Sequence, residues 1–415
     1  MSKALDVYLL EERVGTLVQD DHGAIRFTYA QEWLDKPGAI PLSRSLQLRR
    51  ESFGRNESRG FFAGILPEQR QREVIAKNLG VSAGNDFSLL DRIGGECAGA
   101  VTFLPEGQKP QEQKEDYRFL TPGELAEILR MLSRRPLMAG EEGVRLSLAG
   151  AQDKLAVHRS PQGLSIPLGG APSTHILKPA IERFDGLVFN EAFCMRLGQA
   201  MGLNVAPVEV GSVEGIDYLL VERYDRLREP AGGPAPRTLR RVHQEDFCQA
   251  LGIVPEKKYR NEGGPSLKDS FTLLRDCSSS PVLDLNALLE AAIFNSLIGN
   301  HDAHGKNFSL LYSRGQTRMA PLYDLLCTTY YPELSTKMAM KIGGEYDSRK
   351  LTGSNWDRMA EESALNKPMV KRRVLEMAER MRQKLPDAAL DHPTSEGVSK
   401  MMRESCESAP KRFST

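Results

Sequence analysis

The stretch that decides the fold runs from Ile293 to Leu326, IFNSLIGNHDAHGKNFSLLYSRGQTRMAPLYDLL. It opens in AAIFNSLIG, an apolar, helix-like segment that delivers the chain to His301 and Asp302. Asn307 follows five residues after Asp302, then the apolar run FSLLY, a Ser-Arg-Gly-Gln turn, and a short strand carrying Met319 to Asp324. The order Asp, four residues, Asn, strand, turn, strand, Asp is the layout of a protein-kinase catalytic loop and its metal-binding aspartate. Phosphoryl transfer needs a carboxylate to orient the attacking hydroxyl and take its proton. It also needs oxygen ligands to hold Mg²⁺ against the phosphates. Asp302 suits the base, and Asn307 and Asp324 suit the ligands. Taken alone, Asp-x4-Asn is a weak signal that any polar loop can produce. His301 and His304 flank the aspartate, so a transition-metal phosphohydrolase competes. Such a site wants further ligands, and the other five of the seven histidines lack ligand spacing. His301 therefore reads as a loop brace.

A length of 415 residues suggests two or three domains. Lys plus Arg equals Asp plus Glu at 55 each, so no basic excess argues for stand-alone nucleic-acid binding. Apolar residues at 40% and charged ones at 27% suit a globular protein with a large core. No run approaches the ~18 apolar residues of a membrane span, and MSKALDVYLLEERVG is no signal peptide. Cys97, Cys194, Cys248, Cys277, Cys327 and Cys406 lie far apart. They read as reduced core thiols of a cytoplasmic protein without a membrane partner.

In chain order, LDVYLL, RVGTLVQ and AIRFTYA read as a β-meander turning at Asp20 to Gly23. PLSRSLQLRRES is strand-like at best. GILPEQRQREVIAKNLG reads as one helix ending at Gly80, DFSLLDRIGGE as a second, and AGAVTFLP as a strand. Residues 1–105 thus form an accessory domain without a catalytic constellation, and EGQKPQEQKED marks a linker over 106–120. TPGELAEILRMLSRR starts a helix, with Thr121 as cap and Pro122 in the first position. In VRLSLAGAQDKLAV, the small residues Ser147, Ala149, Gly150 and Ala151 precede a strand. Backbone N–H groups there could approach a phosphate, though the turn matches neither GxGxxG nor Walker A.

THILKPA is a strand presenting Lys178, and the next helix, FNEAFCMRLGQAMGL, carries Glu191 in its first turn. A strand lysine and a helix glutamate form the kinase phosphate clamp; an acid favoured by the helix dipole reads equally well. Two strands around a Val-Glu-Gly turn end at Glu222-Arg223-Tyr224-Asp225, ahead of REPAGGPAPR. A hinge belongs there, and its exposed backbone groups can bind an adenine edge. From Leu239 onward helices dominate: HQEDFCQALG, SLKDSFTLLRDC, LDLNALLEAAIFNSLIG and VKRRVLEMAERMRQKL. The tail after Pro393 is expected to fray.

Assembled, SLAGAQDKLAV, STHILKPA, NEAFCMRLGQAMGLNV, LLVERYDR, HQEDFCQALG, NEGGP, GNHDAHGKNFSLLY and PLYDLL resemble the HipA family, the serine/threonine kinase toxins of HipBA toxin–antitoxin modules. The amino-terminal domain is similar to the family's as well. The resemblance implies Asp302 as catalytic aspartate, Asn307 and Asp324 as Mg²⁺ ligands, and Lys178 as the phosphate-contacting lysine. It implies adenine contacts from Glu222, Arg223 and Tyr224. Further nucleotide contacts are implied at His304, Gly305, Lys306, Asn307 and Tyr323. Ala149, Gly150, Ala151, Gln152, Asp153 and Lys154 fall on the phosphate loop, and Ser147 on the serine that family members autophosphorylate. Asp153 departs from the glutamate of many members, a conservative change. Implied partners are a HipB-type helix-turn-helix antitoxin, operator DNA bound through it, and an aminoacyl-tRNA synthetase substrate, glutamyl-tRNA synthetase foremost.

The expected fold class is α+β: a two-lobed protein-kinase-like fold with a small amino-terminal α/β accessory domain. Residues 121–228 form the N-lobe, and 229–415 a helical C-lobe with the catalytic loop. The expected activity is that of an ATP- and Mg²⁺-dependent serine/threonine protein kinase. The rival is a corepressor acting mainly in an antitoxin–DNA complex with its kinase chemistry lost. The complete set Lys178, Asp302, Asn307 and Asp324 argues against that loss.

Overall fold

The computed structural model describes residues 3–110, 116–228 and 239–413. The polar stretch at 111–115 and the Gly- and Pro-rich stretch at 229–238, expected as linker and hinge, lie outside the described residues. The chain divides into two compact units. The first comprises Met1–Pro179, Gly211–Pro255 and Leu311–Ser313; the second comprises Ala180–Val210, Glu256–Leu310 and Arg314–Thr415.

In the first unit, β1 (Lys3–Leu9), β2 (Glu12–Gln19) and β3 (Ile25–Tyr29) form the expected meander. The strand β5 (Val101–Pro105) adds to β1 antiparallel, giving the order β3-β2-β1-β5. This sheet buries Leu5, Leu17, Phe27 and Phe103 beneath Phe61 and Phe62. The ring of Phe62 stands 5.3 Å from Phe27 and 5.9 Å from Phe103, distances at which aromatic pairs attract beyond simple area burial.

The helix expected over GILPEQRQREVIAKNLG is only α3 (Gln69–Leu79); a helix not expected, α2 (Arg55–Gly64), ends where that stretch begins, after a short α1 (Gln31–Leu34). Pro67 explains the break: its ring disfavours helical backbone at Leu66 and it has no N–H to give. At the far end Gly80 caps α3 at φ 67°, where glycine carries no Cβ penalty. The helix α4 (Asp86–Ile93) follows, and a two-residue strand, β4 (Glu96–Cys97), precedes β5.

A second sheet is built from β6 (Tyr117–Phe119), β8 (Leu155–Ser160), β9 (Gly163–Pro167), β10 (His175–Pro179), β11 (Val208–Val213, in this unit from Gly211) and β12 (Ile216–Glu222). Its order is β11-β12-β10-β8-β9-β6, so β6 comes from the stretch expected as linker. Thr121 caps α5 (Pro122–Met131) and Pro122 takes its first position, as the sequence predicts, and Glu124 completes a reciprocal capping box. The short β7 (Leu146–Ser147) runs parallel to β4, pairing Cys97 with Ser147. Beyond β12, β13 (Arg226–Arg228) pairs with β14 (Leu239–Arg241).

The second unit is helical. It takes α6 (Leu187–Ala200) from the middle of the chain, whereas HQEDFCQALG, expected as helix, is strand β15 (His243–Asp246) and one turn, α7 (Phe247–Ala250), in the first unit. Next come α8 (Leu267–Cys277), capped by Ser266 with Asp269, and α9 (Pro281–Ile298). Against the expectation that no stretch approaches a membrane span, α9 is long and apolar enough, at a mean hydropathy of 1.3. Sixty-one per cent of it is buried, and α8, α11 (Lys367–Lys384) and α12 (Pro393–Phe413) pack on it, so it is a core helix. The strands β16 (Ser309–Ser313, in this unit only to Leu310) and β17 (Gln316–Met319) follow the loop after α9, and α10 (Gly353–Glu362) precedes α11.

The tail does not fray. Val398, Met402, Cys406, Ala409 and Phe413 recur three and four residues apart and are buried, so α12 is held by packing despite its Ser and Gly content. All six cysteines are free thiols, and all but the half-buried Cys277 are buried.

Candidate active site

In the second unit the loop begins where α9 must stop. Gly299 caps the helix at φ 70°, and a Cβ there would stand 2.2 Å from the Thr329 hydroxyl. The turn is thus reserved for glycine. The Thr328 hydroxyl donates to the Gly299 carbonyl at 3.0 Å and accepts from His301 N at 2.8 Å. His301 is buried and engaged at both ring nitrogens, by the Ser348 hydroxyl at 2.7 Å and the Ser335 carbonyl at 3.4 Å. Burial pushes its pKa down. It braces the loop, the role that the sequence suggests for it in the absence of further ligands at metal-site spacing.

Asp302 stands exposed beyond this brace. Its Oδ1 accepts from the Tyr259 hydroxyl at 2.8 Å, and its N–H donates to Asn300 Oδ1 at 3.1 Å. Its carbonyl accepts from His304 N at 2.7 Å and from Asn307 Nδ2 at 3.2 Å, folding Gly305–Asn307 into a 3-10 turn. The ring of His304 meets Tyr259 edge-on at 5.2 Å. Tyr323 donates to the Lys306 carbonyl at 2.7 Å and shares a hydrogen bond with Ser309 at 2.8 Å, tying the Tyr323–Asp324 segment to the loop.

Asp324 adopts φ 58°, a left-handed conformation that non-glycine residues rarely hold unless the surroundings impose it. The imposing groups lie on either side. Leu322 exchanges backbone hydrogen bonds with Asn204 and Ala206 at 2.8 and 2.9 Å. Asn190 on α6 clamps the Cys327 backbone, accepting from its N–H at 2.9 Å and donating to its carbonyl at 3.0 Å. The Asp324 backbone is thus pinned from before and after.

Asn307 and Asp324 offer a cation hard oxygen atoms. With Nδ2 of Asn307 given to the Asp302 carbonyl, Oδ1 is the atom left to ligate, which suits Mg²⁺ bound by few protein groups. Among the described residues no group of three or more His, Cys, Asp and Glu could hold a metal ion, the cluster that the phosphohydrolase alternative requires.

In the first unit Lys178 is buried on β10, opposite Leu219 of β12. Glu191, by contrast, belongs to the second unit and lies in the second turn of α6, since the helix starts at Leu187. The helix-dipole account of Glu191 therefore fails. Ala149, Gly150, Ala151, Gln152, Asp153 and Lys154 form a half-buried loop. Lys154 Nζ closes it by donating to the Ala149 carbonyl at 2.7 Å. Gly150 sits at φ 106°, and a Cβ there would lie 2.7 Å from that ammonium nitrogen. The turn broken by Pro67 holds the loop from outside: Glu68 N donates to the Gly150 carbonyl at 3.1 Å, and Gln71 Nε2 donates to Asp153. Ser147 is fully buried, its hydroxyl donating to the Ile65 carbonyl at 3.1 Å.

Glu222 is exposed at the end of β12, and the Tyr224 hydroxyl donates to Gln244. Arg223 differs from its neighbours: its side chain is buried and occupied by Glu96, Asp225 and Ser173. Its guanidinium is a structural cation, and its backbone N–H is already given to the Thr174 carbonyl at 3.0 Å. Tyr259, Asn190 and Glu96 carry no signal in the sequence. Each acts across more than forty residues of chain, where no local pattern points to it.

A catalytic loop of this order, a strand lysine and a mixed first unit followed by a helical one define a protein-kinase-like α+β fold. A family model described as the HipA-like C-terminal domain matches residues 146–388, and one described as the HipA N-terminal domain matches 5–104. The chain is 50% identical over 381 residues to a candidate kinase of Sinorhizobium fredii, Y4mE, covering 91% of this chain and 90% of that one. It is 33% identical over 364 residues to the serine/threonine-protein kinase toxin HipA of Shewanella oneidensis, covering 84% and 80%. Among solved structures it is similar to the Shewanella oneidensis complex of HipA, HipB and operator DNA, with a TM-score of 0.86, 27% identity and 99% of both chains covered. The chain belongs to the HipA family of serine/threonine kinase toxins, and its enzyme class is protein kinase.

Proposed function

We propose that the chain is the ATP- and Mg²⁺-dependent kinase toxin of a HipBA-type module in the cytoplasm. Its substrate is an aminoacyl-tRNA synthetase, glutamyl-tRNA synthetase foremost, whose phosphorylation inhibits translation and promotes dormancy and persistence. The observation that carries the chemistry is the loop itself: Asp302 exposed, oriented by Tyr259, and bonded through its own carbonyl to Asn307. Asp302 would orient the acceptor hydroxyl and take its proton as the oxygen attacks the γ-phosphorus and the bond to the β-phosphate oxygen breaks. Asn307 and Asp324 would hold Mg²⁺, which supplies positive charge against the phosphate oxygens. Lys178 and the loop Ala149–Lys154 would contact the phosphates. Glu222 and Tyr224 would line the adenine, and His304, Lys306 and Tyr323 would shape the remaining nucleotide contacts. The likeness to a HipA–HipB–operator complex supports a helix-turn-helix antitoxin and, through it, operator DNA as partners.

Self-inactivation would act at Ser147. The buried hydroxyl must leave Ile65 to be phosphorylated, and a group of about −1.5 to −2 charges cannot return to that site without a cation. The loop Ala149–Lys154 would be drawn out with it. Incubating the protein with labelled ATP and a cell lysate, then identifying the labelled protein, tests the proposal. Label on an aminoacyl-tRNA synthetase supports it, and no Mg·ATP-dependent label on any protein, the kinase included, overturns it.

A further inference from the structure

One carboxylate of the amino-terminal region gathers three segments of the first unit to which nucleotide contacts are assigned above. Glu96, on β4, is 1% exposed. Its Oε1 accepts from Ser173 N at 3.1 Å, Ser173 Oγ at 2.9 Å, Arg223 Nη1 at 3.1 Å and Arg226 Nη2 at 2.9 Å. Its Oε2 forms an ion pair with Arg241 at 2.6 Å. Ser173 stands two residues before β10, the strand of Lys178. Arg223 lies between Glu222 and Tyr224. The strand β4 runs beside β7, placing Glu96 opposite Leu146 and Cys97 opposite Ser147, at the entry to the loop Ala149–Lys154.

Asp225 completes the set, accepting from Arg223 at 2.9 and 2.8 Å and from Gly99 N at 2.6 Å. Two carboxylates and three guanidiniums are thus buried together, each less than a tenth exposed. Such a group holds one arrangement, because removing a partner leaves a charge buried without compensation. Burial alone would push the Glu96 carboxyl up, but the three guanidiniums bring it down to about 2, so it stays ionised at neutral pH.

We propose that Glu96 is a positioning residue for nucleotide binding, fixing the placement of the phosphate loop, the Lys178 strand and the segment Glu222–Tyr224 relative to one another. It rests on the kinase reading above and touches no substrate itself. The amino-terminal domain is then part of the nucleotide site and not an appendage to it.

The test uses the full-length protein with Mg·ATP as the probe, in wild type, Glu96→Gln and Ser173→Ala. Calorimetric titration gives the Kd and the fraction of competent sites, and thermal unfolding without ligand gives Tm. Glu96→Gln is expected to weaken Mg·ATP about tenfold or more, and Ser173→Ala, which removes one hydroxyl, about threefold, with the competent fraction near that of the wild type. A purely structural role would lower Tm and the competent fraction and leave the Kd unchanged, and that result overturns the proposal. If Glu96→Gln does not fold, Ser173→Ala decides alone by the same criterion. A wild type that does not bind Mg·ATP would remove the kinase reading and the role of Glu96 with it. Wild-type binding with unchanged affinity in the folded variants would remove the role of Glu96 alone.

Discussion

The Tyr259 hydroxyl donates to Oδ1 of Asp302 at 2.8 Å, so the orientation of the carboxylate proposed as the base is set by a residue 43 positions earlier in the chain. Tyr259→Phe deletes that bond and nothing else of the side chain. Hydrogen bonds to charged groups contribute about 1.5–3 kcal/mol when well sheltered, and Asp302 is exposed, so a loss of about tenfold in kcat with little change in KM for ATP is expected. Steady-state phosphate transfer at varied ATP would check it, and an unchanged kcat would show that Tyr259 does not orient Asp302.

Asp302→Asn is nearly isosteric and keeps the loop's backbone hydrogen bonds. Phosphate incorporation should fall ~10²–10⁴-fold while Tm stays within a few degrees. Turnover at the wild-type rate in the folded variant would remove Asp302 from the mechanism.

Asp324 separates metal binding from backbone conformation. Its φ of 58° is one that asparagine also tolerates, whereas a β-branched residue does not. Asp324→Asn should therefore keep the fold and weaken Mg²⁺-dependent ATP binding. Asp324→Val should weaken it too and in addition cost about 1–2 kcal/mol of stability. Isothermal titration beside urea unfolding distinguishes the two, and equal stability of both variants would refute the strain.

Glu245 supplies a pH test. It is buried and accepts from the Ser43 hydroxyl, the Arg44 N–H at 2.9 Å and the Tyr312 hydroxyl, yet burial dominates and raises its pKa from 4.5 to about 7. A carboxyl raised on folding contributes stability that is complete below pH 4.5 and is lost as pH rises through about 7. Glu245→Gln mimics the protonated form and does not suffer that loss. Its stability relative to the wild type should therefore improve between pH 4.5 and 8, by up to about 3 kcal/mol. Urea unfolding of both proteins at the two pH values reads this directly, and a constant difference would show that Glu245 is ionised in the fold at both.

Met402→Ala on α12 should cost about 2–5 kcal/mol, the range for emptying a buried methionine site. A cost near zero by urea unfolding would mean that the carboxy-terminal helix is not part of the cooperative core.

The apolar helix, turn and strands from Ile293 to Asp324 were legible because periodicity and turn residues act locally, and Asp302, Asn307 and Asp324 stand out there as candidates by their kinase-like order. The meander of β1 to β3, the Thr121 cap and the Gly80 stop were legible because turn and cap residues act locally. What escaped the sequence acts at a distance or against propensity. The Ser-rich, charged composition of α12 masks its apolar spacing, and the helical periodicity on either side of Pro67 hides the break that the proline imposes. The sequence puts Glu191 in the first turn, whereas the helix begins at Leu187 after Gly186, which has no side chain to mark the cap, so Glu191 falls in the second turn. Glu96 and Tyr259 are single polar residues whose partners come from remote segments, and periodicity is blind to them.

The burial of α9 also sets an order of events during synthesis. Among the described residues α9, the helix that leads into the Asp302 loop, is the one long and apolar enough by length and composition to span a membrane, and two of the helices that cover it, α11 and α12, are translated after it. While the ribosome adds those residues, the buried apolar face of this 18-residue helix lacks part of its shelter. A nascent or carboxy-terminally truncated chain therefore leaves the helix that leads into the loop without two of its covering helices, and a partly apolar surface stays open to water.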